Sequence, residues 1–509
     1  MEARRESQST ERAPNIGEPH MRRLGTGVFW IGGLRIGELV RSRRAWLAVL
    51  ALVAGAWMRL AMLKALPQIT GDTLLYGGLA RNLLLHHAYA LTDANGVRQA
   101  TLIRLPGYPL FLALCFKLFG VDYYSAVSYV QMTMELAGCL LLADFVRRIS
   151  VGTRANPNNA ALWTLWLGAL CPFTAAYAVA PLTETPTLFT IALALWAMTC
   201  FHTRPAWWSG LAFTFAVTFA ALLRPDGALL GVALVPALWL GLRPPVRSGA
   251  VLHRGLVRMG VVCLLLALLP FAVWTARNWR VFHVIEPLAP RYATDPGEAT
   301  NPGFQRWMKT WCLDFVSTND IYWNVPGSPL EIGKLPARAF DSPGQYAETA
   351  SVLTAYNNNG ADLSAQMDDE FAQLAAERIH ANPLRYYLWL PLGRVADMTL
   401  RPRVENLNID SDWWVASHHY AETRFSWAYA ALNAAYFLLA AIGLCFRPRY
   451  WPWMVLYVLT RGALLTTIEA PEARYTLEYF PMVFALGGLG IAAGWQGWIG
   501  RRRNQTNYE

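Results

Sequence analysis

The chain has 509 residues, of which 54% are hydrophobic and 15% charged, with 22 Trp and a formal net charge of +10. A soluble protein carries about 25% charged residues, so the composition is that of a membrane protein and excludes an ordinary soluble one. All but four of the 44 basic residues are Arg (the lysines are Lys64, Lys117, Lys309 and Lys334), as in a GC-rich bacterial genome, and they cluster between apolar runs. The positive balance therefore reads as cytoplasmic loops and not as nucleic-acid binding.

Residues 1–44 are polar and Arg-rich, which places the N-terminus in the cytoplasm. The apolar run that follows is too long for a signal-peptide core and reads as a retained span. At about 20 apolar residues per crossing, ten spans are expected: 45–64, 123–146, 158–178, 183–201, 207–223, 227–242, 259–276, 426–446, 451–468 and 476–497. Counting crossings puts Arg147 and Arg148, the group Arg243, Arg247, Arg254 and Arg258, the pair Arg447 and Arg449, and Arg501, Arg502 and Arg503 on the cytoplasmic side, as the charge rule requires. The fold class is an all-α polytopic membrane protein with about ten transmembrane helices. Its modules are a segment 1–44, an N-terminal membrane module 45–276 containing a first outer loop (65–122), an outer region 277–425, C-terminal helices 426–500 and a tail 501–509. The outer region predicts a helix ending near Ile379, then Pro383 and an amphipathic stretch 384–400. If that stretch crossed the membrane, the last Arg clusters would fall outside, so it is expected at the interface. The seven cysteines form no CxxC and indicate neither a disulfide framework nor a zinc site.

The first outer loop opens with "QITGDTLLYGGLARNLLLHHAYA" (68–90). At about 100° per residue, Asp72, Leu75, Tyr76, Leu79 and Leu83 share a helix face, with Arg81 opposite. Outer boundaries should be poor in Arg, yet Arg104 ("LIRLPGYPLF"), Arg224 ("LLRPDG"), Arg277 ("WTARNW") and Arg474 ("PEARYTLEYF") all sit there. Guanidinium is a planar fork suited to phosphate oxygens; the alternative for each is snorkelling. Glu184 in "VAPLTETPTLF" and Asp72 join them, although either carboxylate could simply cap a helix. Asp226 reads as a turn or cap beside Arg224. Glu135 and Arg461 lie within spans, where ionisable groups are costly and paired or functional; an ion pair between them is the plainest expectation. "GGLGIAAG" in the last span is a small-residue packing face. "DSDWWVASHHYAE" gathers Asp410, Asp412, His418, His419 and Glu422 in no known ligand spacing and reads as solvated loop.

These residues resemble the GT-C superfamily of polytopic glycosyltransferases, in particular bacterial relatives of protein O-mannosyltransferases and lipid A aminoarabinose transferases. The likeness is carried by Asp72 followed by Tyr76 and "ARNLL", by "RLPGYPLFLALCFKLFG", by Thr183 and Glu184, and by "LRPDG", "WTARNWRVF", "IHANPLRYY" and "RYTLEYFP", in family order from about residue 45 to 500. The resemblance implies a polyprenyl-phosphate sugar donor, a lipid, glycan or protein acceptor, and transfer at the periplasmic face of the inner membrane, in lipopolysaccharide or protein glycosylation. It implies that Asp72 corresponds to the catalytic acidic residue of the family's first loop and that Arg104 lies near the lipid phosphate. Arg224, Arg277 and Arg474 are candidate phosphate ligands, and Tyr76, Tyr108, Glu184, Asn278 and Tyr475 supporting residues. Dependence on a divalent metal stays open. The rival readings are a transporter or flippase, and a polymerase or ligase, for polyprenyl-linked saccharides.

Overall fold

The computed structural model describes residues 42–505 apart from 67, 68, 70, 242–249, 408, 411, 412 and 416–419. The chain divides into a unit Met1–Ala45, of which only residues 42–45 are described, and a unit Trp46–Glu509 that holds everything considered below. Most of the expected cytoplasmic segment 1–44, Arg243 and Arg247, and Asp412, His418 and His419 of the acidic and histidine-rich loop thus lie outside the described residues.

Helix α1 (Arg43–Ala65) leads into the first outer loop, built from α2 (Gly71–His86), the antiparallel hairpin β1 (Ala90–Thr92) and β2 (Arg98–Ala100), and α3 (Gly107–Phe119). The bundle continues with α4 (Tyr124–Ile149), α5 (Pro157–Ala169), α6 (Pro172–Ala178), α7 (Glu184–Thr203), α8 (Trp207–Leu223), α9 (Ala228–Gly241) and α10 (Ala250–Phe282). The expected outer region, 277–425, carries α11 (Pro302–Lys309), α12 (Phe315–Asp320), α13 (Pro343–Asn358), α14 (Ala365–Ala381) and α15 (Leu390–Leu400). The chain closes with α16 (Tyr420–Cys445), α17 (Trp451–Leu465) and α18 (Phe480–Gln505).

The protein is helical and rich in membrane-type helices, but length does not support ten spans. Among the described residues six helices are long and apolar enough to cross, or seven if α5 and α6, bent by 56°, form one broken span. The remaining expected spans correspond to α8, α9 and α17, with 17, 14 and 15 residues, short of the usual ~20. Between α8 and α9 the shortening has a local cause: Pro225 cannot continue a helix, and Arg224 and a 3₁₀ turn over Pro225–Gly227 interrupt the run. Pro172 likewise ends the α5 ladder, and the α5 carbonyls left without helical partners need donors. Arg59 of α1 supplies one: Nη1 donates to Ala169 O at 2.7 Å, where Gly55 lets the two helices meet.

The small-residue face expected in the last span is realised. A Cβ on Gly443 would lie 1.8 Å from Leu486 O, and one on Gly490 would lie 2.7 Å from Leu439 O, so α16 and α18 touch backbone to backbone. Gly443→Ala should therefore destabilise the purified protein by about 1–3 kcal/mol of overpacking, read as a lowered thermal midpoint in detergent. An unchanged midpoint would mean that the helices separate at no cost.

The outer region has its own core of Phe304, Trp307, Trp311, Tyr356 and Phe371. Its helices start on side-chain caps: Asp314 accepts from Ser317 N, Ser342 from Gln345 N and Ser364 from Met367 N. The expected helix to Ile379 is α14, and the amphipathic stretch is a turn of π-helix (Arg385–Trp389) running into α15. Leu388, Trp389, Leu392 and Leu400 stand exposed while Arg394 is buried. Arg394 donates to Lys309 O, Cys312 O and Ile468 O, fastening the outer region to the chain leaving α17.

Candidate active site

Five helix ends deliver charge to one place. Asp72 stands in the first turn of α2, Glu184 opens α7, Arg224 follows α8, Asp226 precedes α9, and Arg461 lies in the last turns of α17. A 3₁₀ segment, Ala473–Tyr479, then brings Arg474 and Glu478 to the start of α18. The Asp72 carboxylate accepts from Arg104 Nη2 at 3.4 Å through Oδ1 and from Arg474 Nη1 at 3.1 Å through Oδ2. Arg474 also faces Glu184 at 3.9 Å and Glu472 at 2.5 Å. Arg224 Nη1 reaches Glu184 at 3.3 Å, and its Nε lies 3.2 Å from Asp226 and 3.4 Å from Glu478. Arg461 pairs with Asp226 at 3.0 Å and with Glu478, and donates to Tyr475 O at 2.8 Å.

Exposure grades across the cluster. Arg461, Glu478 and Glu184 are buried; the side chains of Arg224 and Asp226 are 15% exposed; Arg474, Arg104 and Asp72 are 21%, 26% and 30% exposed. The buried pairs form a floor, and Asp72 with its two partly exposed arginines forms a rim. Burial alone would raise the Asp72 carboxyl, but the guanidiniums of Arg474 and Arg104 outweigh it and hold it below the usual carboxylate range. Asp72 is thus ionised at any neutral pH.

The supporting aromatics divide in the same way. Arg104 lies over the Tyr76 ring, and both Arg224 and Arg474 lie over Tyr475, whose hydroxyl donates to Glu472. Tyr108 is buried, edge-on to Tyr76, with its hydroxyl donating to Gln131. It packs the rim from below and does not line it.

Arg277 does not join the other three. Nη1 donates to Thr101 O and Nη2 to Tyr89 O, both at 2.8 Å, among the rings of Tyr89, Trp274 and Phe282. Asn278, fully buried, holds Glu286 O at 2.9 Å. Arg277 anchors the base of the β-hairpin, which ends just before Arg104, while Asn278 accepts from Arg277 and holds the chain after α10, so Arg277 positions and does not face the rim. The hairpin is a departure from the all-α expectation that the sequence reading missed, although Asn95-Gly96 carries its signal: Asp93, Asn95 and Gly96 form the turn, with Gly96 at φ 81°. For the polyprenyl-phosphate donor that the sequence resemblance implies, Arg104→Ala and Arg474→Ala are each expected to weaken binding about 10- to 100-fold, the cost of a lost charged hydrogen bond. Arg277→Ala should weaken it less. Equal losses from Arg104→Ala and Arg277→Ala in a tryptophan-quenching titration would contradict this division.

The expected Glu135–Arg461 pair is wrong. Glu135 Oε2 accepts from Arg59 Nε at 2.7 Å, and Arg461 is held by Asp226 and Glu478. Arg59 and Glu478 were missed because each sits near the end of an apolar run, where a charge reads as a boundary residue. Among the described residues no three of His, Cys, Asp and Glu converge as a metal site, and each carboxylate of the cluster faces an arginine.

No family model and no curated protein matches the chain. Among solved structures it is similar to ArnT from Cupriavidus metallidurans, bound to undecaprenyl phosphate, at 15% identity and a TM-score of 0.37 over 89% of this chain and 78% of that one. It is also similar to the archaeal oligosaccharyltransferase AglB from Archaeoglobus fulgidus, in complex with an inhibitory peptide and a dolichol-phosphate. There the identity is 12% and the TM-score 0.43, over 91% of this chain and 52% of that one. Over most of its own length, then, the chain is similar to two glycosyltransferases, the lipid A aminoarabinose transferase ArnT and AglB.

Proposed function

We propose that the chain is a GT-C type glycosyltransferase of the bacterial inner membrane. It moves a sugar from a polyprenyl-phosphate donor to an acceptor at the periplasmic face. The observation that carries this reading is the rim: an ionised carboxylate between two partly exposed guanidiniums, at the ends of membrane-type helices. Sugar transfer needs groups that stabilise charge developing on the leaving phosphate and a base near the attacking oxygen. Arg104 and Arg474 fit the first task and Asp72 the second. The site must lie at a membrane boundary because a lipid phosphate does. In this reading the short helices α8, α9 and α17 also cross, both termini are cytoplasmic, and the outer region is periplasmic.

The purified protein, given polyprenyl-phosphate sugars labelled in the sugar and a lipid extract of the host envelope, should release polyprenyl phosphate and label an acceptor. Uptake of the donor into vesicles without cleavage would favour a flippase instead. Because Asp72 is held low, kcat/KM should keep its value from pH 8 down to pH 6 and fall only below the ordinary carboxylate value of about 4. An acid limb centred at pH 6–7 would assign the base to another group.

A further inference from the structure

A second group of cations lies where the outer region meets the chain leaving α17. Arg291 Nη2 and Lys309 Nζ approach the same oxygen of Glu469, at 3.6 and 3.8 Å, both longer than a hydrogen bond. Among the described residues Glu469 is the only carboxylate within ion-pair distance of either cation. Arg394 stands beside them, buried, and its hydrogen bonds all go to neutral carbonyls, that of Lys309 included. Three positive charges thus meet one negative charge. They are not a solvated basic patch, because the Lys309 side chain is only 15% exposed. Burial pushes its ammonium below the usual lysine range; Glu469 offsets part of that, and Arg291 and Arg394 push it further down. The group lacks counter-charge, and an added anion would supply it.

Two stretches of chain tie this group to the rim. Glu469 stands three residues before Glu472, the partner of Arg474, so their Cα atoms are at most about 11 Å apart. Between them Arg394 holds Ile468 O and Thr318 holds Pro471 O. On the other side Arg291 stands four residues before Asp295, whose carboxylate accepts from Leu102 N, two residues before Arg104. We propose that Lys309 and Arg291, backed by the buried charge of Arg394, form an anion subsite beside the rim for a carboxylate or phosphate carried by the sugar or by the acceptor. Its place in the reaction rests on the glycosyltransferase reading. There the lipid phosphate goes to Arg104 and Arg474, so the anion taken here is a second one. An oxyanion can bridge Lys309 and Arg291, each of which Glu469 holds only at ion-pair distance. A substrate bearing that charge is held at two points, at the rim and beside it, and a neutral one at the rim alone.

The subsite can be tested without turnover. The chain has four lysines, Lys64, Lys117, Lys309 and Lys334, so methylation with isotope-labelled formaldehyde gives few lysine signals by NMR, and Lys309→Arg identifies one of them. The purified full chain is titrated with inorganic phosphate and with glucuronate at constant ionic strength. The Lys309 signal should shift saturably, and its ammonium should titrate at higher pH with the anion bound, while the other three lysines do not respond. No shift at Lys309, or equal shifts at all four lysines, would overturn the subsite. Transfer then tells the two sources apart. Lys309→Met is compared with wild type at equal amounts of folded protein by size exclusion, using undecaprenyl-phosphate hexoses or hexuronates and an envelope lipid extract. An anion on the sugar predicts that wild type prefers the hexuronate and that Lys309→Met loses this preference by about 10-fold or more. An anion on the acceptor predicts that Lys309→Met needs about 10-fold or more extract for half-saturation with either donor. In both cases Lys309→Arg, which keeps the charge, should recover most of the loss. If Lys309→Met changed neither measure, the subsite would have no part in substrate binding and the inference would fall. If wild type cleaved no donor, the glycosyltransferase reading would fall and take the substrate role with it, while the titration alone would decide the anion site.

Discussion

Asp72→Asn should abolish most turnover, by about 10²-fold or more, while leaving the protein folded and able to bind polyprenyl phosphate. Asn has nearly the same shape as Asp and keeps an oxygen for Arg104 or Arg474 to donate to, so the rim stays assembled. It cannot take a proton, and a positioned base contributes roughly 10²–10⁴-fold. It also removes the negative charge that Arg104 and Arg474 share, so donor affinity should be equal to or tighter than wild type. The signature is therefore split: kcat falls while the affinity for undecaprenyl phosphate holds or improves. If the carboxylate served only as a helix cap, Asn would replace it almost without loss, and unchanged turnover would remove Asp72 from the chemistry.

The second large effect should come from the floor. Arg461 is fully buried against Glu478, which is also fully buried, and against Asp226. Removing one partner of a buried pair leaves the other charge uncompensated, at a cost of about 3–5 kcal/mol. Arg461→Met should lower the thermal midpoint of the purified protein sharply. It also frees Tyr475 O, the residue after Arg474, so donor affinity should fall as well. Adding Glu478→Gln to Arg461→Met removes the stranded charge and should recover part of the stability, a coupling that a double-mutant cycle reads directly. Purely additive losses would show that the two side chains do not interact.

How far the site could be read beforehand follows from what makes a charge conspicuous. Arg104, Arg224 and Arg474 stood out because they break the charge asymmetry expected of outer membrane boundaries. Three of the four arginines so marked do meet at the rim or just beneath it. Their partners were not legible. Asp72 and Arg474 are 402 positions apart, and no spacing rule links residues across separate helices. Arg277 carried the same boundary signal for a different reason, its bonds to the Tyr89 and Thr101 carbonyls at the base of the hairpin.

The α2 face was only partly right. Its Leu-rich stripe promised burial of Leu75, Tyr76, Leu79 and Leu83. Of that stripe Leu79 is fully buried and Leu75, Tyr76 and Leu83 are half-buried, while the small residues Thr73, Gly77 and Ala80 are buried beside Leu79, because Gly77 admits Tyr124; Leu74 and Leu85, off the stripe, are exposed. In a membrane protein large apolar side chains can face lipid and small ones the bundle, so a hydrophobic stripe does not by itself mark the packed side. Asp72 falls at the edge of that packed face, which is why it is half-buried and reachable. The break within 207–242 was legible: spans 207–223 and 227–242 were expected on either side of Arg224 and Pro225, and α8 and α9 lie on either side of them, although both are shorter than a usual crossing.

The most direct measurement is a structure of the protein in lipid nanodiscs with undecaprenyl phosphate. The phosphorus should lie within about 4 Å of guanidinium nitrogens of both Arg104 and Arg474, the distance of a charge-assisted hydrogen bond through a phosphate oxygen, with the Asp72 carboxylate beside it. A phosphate bound elsewhere, with the two Asp72–arginine contacts intact, would contradict the account.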